Sequence, residues 1–146
     1  MAVNSLDYTW QQFDSDIKAI CKIIKEKYPK IKTVLGIPKG GLVPAVAIAN
    51  HLGLKLYKSF QDIQTTYKRD DILVVDDICD SGKTFHSIEG INLFITCSLV
   101  RKTEASFKPD IVLHEFSNEK IGWVRFPWEP EKKEQKRDGT FGGSNV

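Results

Sequence analysis

A chain of 146 residues has the size of one domain and can bury roughly 70% of the surface its unfolded form exposes, enough for a single core. With 41% hydrophobic and 27% charged residues it has an ordinary globular composition, and a formal charge of +2 is too small to argue for nucleic-acid binding. Cys21, Cys79 and Cys97 are far apart, form no CxxC pair and have no histidine at zinc-ligand spacing, so a reducing, cytoplasmic setting is expected. The start, MAVNSLDYTW, lacks the basic and apolar regions of a secretory signal, and the longest uncharged stretch, Gly40 to Leu54, is too short to span a bilayer. No membrane partner is expected.

Phe13, Ile17, Ile20, Cys21 and Ile24 recur at helical spacing with Lys18, Lys22 and Lys25 on the other face, and Pro29 follows, which predicts an amphipathic helix. Thr33 to Ile37, TVLGI, reads as a buried strand followed by a Pro-Lys-Gly-Gly turn. Pro44 to Leu52 is again helical, with Gly53 just past its end, and Leu54 to Tyr57 begins another strand. Ser59 to Asp71 is polar without sustained period and reads as a loop. Ile72 to Val75 is a strand, Lys83 to Glu89 a helix ended by Gly90, and Phe94 to Val100, Ile111 to Leu113 and Ile121 to Phe126 complete the strands. Strand and helix alternate, so the expected fold is α/β, a single domain with a mostly parallel central sheet flanked by helices. From Pro130 the chain is polar and Gly-rich with charges of both signs, which predicts a frayed tail rather than a basic nucleic-acid arm.

The stretch from Ile72 to Phe85, ILVVDDICDSGKTF, crowds three aspartates against Ser-Gly-Lys-Thr. A nucleotide-triphosphate P-loop would need glycine five positions before Gly82, and Asp77 stands there. What remains is a strand, an acidic turn and a helix opening, where unpaired backbone N–H groups favour an anion. Gly82 permits close backbone approach, and Ser81 and Thr84 supply hydroxyls, so one phosphate monoester fits. The helix-end effect contributes only about 0.3–1 kcal/mol per charge, so several donors must act together. Asp76 and Asp77 would repel that phosphate, and must face a ribose diol or a divalent cation instead. Together these partners describe a phosphorylated sugar.

VVDDICDSGKT resembles the signature of the type I phosphoribosyltransferases, which bind 5-phosphoribosyl-1-pyrophosphate. The resemblance implies that Asp76 and Asp77 hold the ribose hydroxyls and magnesium, and that Asp80, Ser81, Gly82, Lys83 and Thr84 hold the 5′-phosphate. Asp80 would also be the catalytic acid/base near the five-membered ring of a purine. GIPKGGLVPA resembles the family's pyrophosphate loop, assigning Lys39, Gly40 and Gly41 to the leaving group; in relatives the peptide entering the position of Lys39 is often cis.

WVRFPWE, Trp123 to Glu129, is similar to the segment closing the base pocket in the xanthine/guanine/hypoxanthine branch. Trp123 would stack on the purine, the backbone of Val124 would read its edge, and Glu129 would sit near the metal or the base amino group. Trp128 is taken as core. LVRKTEASFKPDIV also resembles that branch, where a lysine donates to the 6-oxo group: Lys102 is favoured, with Arg101 the alternative. His51, His86 and His114 fit no catalytic pattern and are expected in surface or packing roles.

By this resemblance, residues 1–129 form the phosphoribosyltransferase domain, with its core at about 30–115 and a small C-terminal base-binding region at about 100–129. The implied reaction displaces pyrophosphate from phosphoribosyl pyrophosphate with a 6-oxopurine, with Mg2+ as cofactor, in a homo-oligomer (dimer or tetramer). A non-catalytic sensor of the same ligands and an enzyme for another base are the competing readings. Asp80 and Lys39 favour an enzyme, and WVRFPWE favours a purine. The stretch 59–69 would be the lid over the sugar.

Overall fold

A computed structural model describes residues 4–62 and 71–130. The chain runs β1 (Ser5–Asp7), α1 (Trp10–Lys27), β2 (Thr33–Gly36), α2 (Leu42–Leu52), β3 (Lys55–Tyr57), β4 (Ile72–Cys79), α3 (Lys83–His86), β5 (Ile95–Lys102), β6 (Ile111–Phe116) and β7 (Trp123–Arg125). Five strands form a parallel sheet in the order β3-β2-β4-β5-β6. Such a sheet is buried on both faces, which is why Ile72, Leu73, Val74 and Val75 are consecutively apolar rather than alternating.

Two apolar layers cover the sheet. Leu73 and Val75 pack with Ile17, Ile20 and Ile24 of α1 and Ala45 and Ile48 of α2. On the opposite face, Ile72 and Val74 pack with Phe85, Ile91 and Phe107. The periodicity of α1 is therefore a core stripe, as its spacing predicts, and Thr9 caps its start by accepting the Gln12 N–H at 3.0 Å.

Two expected elements change and one strand is new. The strand read as Ile72 to Val75 continues to Cys79, so Asp76 and Asp77 lie in β4 and not in a turn; pairing with Ser98 and Val100 of β5 extends it. The helix expected over Lys83 to Glu89 is the single turn α3, after which Gly90 opens a 3-10 turn at Ile91–Leu93. β1, polar and three residues long, carries no strand signal by itself and exists because β7 pairs with it in a separate two-stranded parallel sheet. At the start of the expected lid, Phe60–Asp62 is a 3-10 turn with Phe60 against Phe94; the rest of the lid and the tail from residue 131 lie outside the described residues.

A buried polar knot fixes the N-terminal segment to both α1 and the sheet. The Asp16 carboxylate of α1 accepts from the Tyr8 hydroxyl, from Gln12 Nε2 at 3.0 Å and from His114 Nε2 of β6 at 3.0 Å. A carboxylate only accepts, so His114 carries its proton on Nε2. Burial and the neighbouring Asp16 hold the Tyr8 phenol far above its usual range, and it remains a donor. All three cysteines are buried and unpaired. No helix among the described residues is long and apolar enough to cross a membrane.

Tyr8→Phe removes one donor from buried Asp16 and should lower the unfolding free energy by about 1–3 kcal/mol with an unchanged denaturant slope. A loss under roughly 0.5 kcal/mol would show that Asp16 does not depend on Tyr8.

Candidate active site

The strand order places the site. The chain moves from β2 outward to β3, then returns to add β4 on the other side of β2, so the winding direction reverses between β2 and β4. In open α/β sheets a ligand crevice opens at the carboxyl ends of the strands at such a point. The segments leaving β2 and β4 there are PKGG and DSGK.

Asp76 and Asp77 lie in β4 near its carboxyl end. Both are nearly buried, and both line a cleft of about 170 Å³ with Asp80, Ser81, Gly82 and Thr84. Asp76 Oδ1 accepts the Asp77 N–H at 2.9 Å, and Asp77 Oδ1 accepts the Ile78 N–H at 2.8 Å. Burial, then the adjacent Asp77 charge, pushes the Asp76 carboxyl up to about 8.

The two loops meet at this pair. Ile37 N–H donates to Val75 O at 2.9 Å and Gly41 N–H to Ile37 O at 2.8 Å, which turns the PKGG loop across the end of β4. The Pro38–Lys39 peptide is cis. A Cβ on Gly40 would lie 2.0 Å from Asp77 Oδ2, so only glycine lets the loop pass over that carboxylate. Lys39 is exposed at the loop's crest.

Beyond β4 the chain bends sharply. Gly82 has φ +96°, and a Cβ there would also meet Phe107 N at 2.8 Å. Ser81 O accepts from Ser106 N at 2.9 Å and Ser106 Oγ at 3.0 Å, anchoring the loop to the segment after β5. Only one turn of helix follows, so an anion here would be held by individual N–H groups and hydroxyls more than by a helix dipole. Ser81, Lys83 and Thr84 are exposed and Gly82 is buried.

Strand alternation gives Arg101 and Lys102 different partners. Arg101 is spent on structure, donating to Phe107 O, Ala105 O and Glu115. Lys102 is 2% exposed and points toward the site, its Nζ 2.6 Å from Asn118 Oδ1, 3.2 Å from Gly122 O and 4.0 Å from Asp80 Oδ1. Asp80 itself is exposed. Since Gly122 precedes Trp123, the lysine is in direct contact with the segment that leads into β7. Trp123 is 43% exposed on β7, whereas the Val124 side chain is buried, leaving only the Val124 backbone to face a ligand.

Glu129 follows β7 on the segment that carries Trp128. It lines a separate groove of about 400 Å³ with Tyr8, Trp10, Arg125 and Phe126, and among the described residues no cluster of three metal-binding side chains occurs. The Glu129 N–H closes a turn on Phe126 O at 3.1 Å. Asn118, Gly122 and Trp128 were not picked out as site residues from sequence. Asn118 sits in a turn without a motif, but the N–H of a half-buried Trp128 calls for a partner, which is Asp77 Oδ2 at 3.2 Å.

Known proteins share this fold. No family model matches the chain. A purine phosphoribosyltransferase from Pyrococcus horikoshii is 30% identical, with 88% of this chain and 97% of that one aligned at a TM-score of 0.68. The chain belongs to the type I phosphoribosyltransferase family. Xanthine-guanine phosphoribosyltransferases of Nitratidesulfovibrio vulgaris and Gluconobacter oxydans are 28% and 24% identical over 139 and 140 residues, covering 84% and 83% of this chain and 83% and 82% of theirs. The xanthine-guanine-hypoxanthine phosphoribosyltransferase of Helicobacter pylori, at 22% identity, shares the fold with a TM-score of 0.73 over 86% of this chain and 94% of that one.

Unfolded, Asp76 ionises near 3.8; folded, it keeps its proton up to about 8. Its contribution to stability is therefore full below the unfolded value and is lost as pH rises toward about 8. In chelator-containing buffer, thermal midpoints of the native protein should fall across this window relative to Asp76→Asn, which cannot ionise. Parallel curves for the two proteins would contradict the assignment.

Proposed function

We propose that this phosphoribosyltransferase transfers the 5-phosphoribosyl group from phosphoribosyl pyrophosphate to a 6-oxopurine. The observation that carries the reading is Lys102: a buried ammonium, directed by Asn118 and Gly122, beside both Asp80 and the Trp123 segment. A cation donor at the base favours an oxo group over an amino group, because an ammonium has three donors and no acceptor. The names of the curated relatives, xanthine-guanine phosphoribosyltransferases, support the same substrate class.

In this reading the 5′-phosphate lies on Ser81 to Thr84, the ribose hydroxyls meet Asp76 and Asp77, and the pyrophosphate meets Lys39, Gly40 and Gly41. Trp123 stacks on the base, and the Val124 backbone reads its edge. The bond from the anomeric carbon to pyrophosphate oxygen breaks, and a bond to the purine ring nitrogen forms. Asp80 accepts the proton that this nitrogen loses. The two aspartates offer the hard oxygen ligands that magnesium takes when it binds through one or two carboxylates together with substrate phosphates. Bound there, Mg2+ would neutralise charge on the leaving pyrophosphate.

Pyrophosphate release, measured with magnesium, phosphoribosyl pyrophosphate and each of guanine, xanthine, hypoxanthine, adenine, uracil and orotate, tests the proposal. Release with 6-oxopurines alone is expected. Release only with another base, or none from protein that binds phosphoribosyl pyrophosphate, would overturn it. Asp80→Asn should lower turnover roughly 10²–10⁴-fold with phosphoribosyl-pyrophosphate affinity retained; an unchanged rate would remove Asp80 from the proton transfer.

A further inference from the structure

Packing accounts for most of Trp128 but not for its polar edge. The indole stacks on Phe126 with centroids 4.9 Å apart and planes at 14°, and meets Phe13 at 5.3 Å, Trp10 at 5.6 Å and Tyr8 at 6.0 Å. These contacts need an aromatic ring and no nitrogen. Yet Nε1–H is aimed out of the cluster at Asp77 Oδ2, 3.2 Å away and 51 residues earlier in the chain.

Asp77 is consequently held from three sides. Its Oδ1 accepts Ile78 N–H, its Oδ2 accepts the indole N–H, and Gly40 closes over Oδ2 where a side chain would otherwise stand. A carboxylate turns easily about its last torsion, which has broad wells. Two donors, one per oxygen, fix its plane, and each oxygen keeps a further lone pair for a ligand. A phenylalanine at position 128 would fill the cluster and leave Oδ2 unheld.

We propose that Trp128 is a positioning residue for phosphoribosyl-pyrophosphate binding: its indole N–H fixes the Asp77 carboxylate in the orientation that presents its remaining lone pairs to the sugar hydroxyls or a phosphate-bound cation. The inference rests on the functional reading above and adds a link to it. Trp128 lies five residues beyond Trp123 on the segment that closes on the base, so that segment also sets the sugar site. One hydrogen bond ties that segment to the Asp77 carboxylate.

The test uses the full chain and two readouts. In Trp128→Phe, calorimetric affinity for phosphoribosyl pyrophosphate with magnesium should fall about tenfold or more, the scale of one hydrogen bond to a charged group, while KM for the base stays within about twofold. In the native protein, the Trp128 indole N–H resonance, assigned by its loss in the variant, should move when magnesium and phosphoribosyl pyrophosphate are added. Unchanged affinity in a folded Trp128→Phe, or an indole resonance indifferent to the ligand, would reduce Trp128 to packing. A native protein that does not bind phosphoribosyl pyrophosphate at all would overturn the functional reading, and this inference with it. Where the variant is unstable, Trp10→Phe and Trp123→Phe identify the other two of the three indole peaks, and the Trp128 peak follows by elimination.

Discussion

The site depends on one steric fact: the carboxylate of Asp77 occupies the space that a side chain at position 40 would need. A loop can cross the end of β4 at that distance only if it presents bare backbone. The loop after β2 and the end of β4 are therefore built as one surface. Trp128 closes the third side, so that three segments distant in sequence converge on one carboxylate.

The parallel sheet supplies the convergence. β4 lies in the middle of the order β3-β2-β4-β5-β6, buried by β2 on one side and β5 on the other, and its last residues emerge where the winding reverses. Eight residues long, it carries Asp76 and Asp77 within its pairing rather than on a loose turn. Burial there has an electrostatic cost, visible in the proton that Asp76 retains up to about 8, and a bound cation would relieve it. On the far side of the crevice, β5 turns Lys102 inward and Arg101 into a structural clamp, so adjacent basic residues take unrelated roles through strand alternation alone.

Much of this was legible in the sequence. Helical spacing predicted α1, the apolar runs predicted β2 and β4, and the absence of a P-loop glycine at Asp77 separated the acids from the phosphate loop. The resemblance carried by VVDDICDSGKT and GIPKGGLVPA pointed to the two loops that the structure brings together. What could not be read was set by partners distant in the chain. β1 is a strand because β7 is beside it, and Ile91, shortly after α3, is buried in one cluster with Phe85 and Phe107. Trp128 reads as core by composition, and only the direction of its N–H reveals the second role. His114, expected in packing, proves to hold Asp16.

The most direct measurement is calorimetric titration of phosphoribosyl pyrophosphate, with magnesium, into the native protein and into Gly40→Ala, with circular dichroism to establish that both are folded. Because the added methyl must displace either the loop or the Asp77 carboxylate, the native protein should bind and the folded variant should bind at least about tenfold more weakly. Equal affinity in the two proteins would contradict the claim that this single close approach assembles the site.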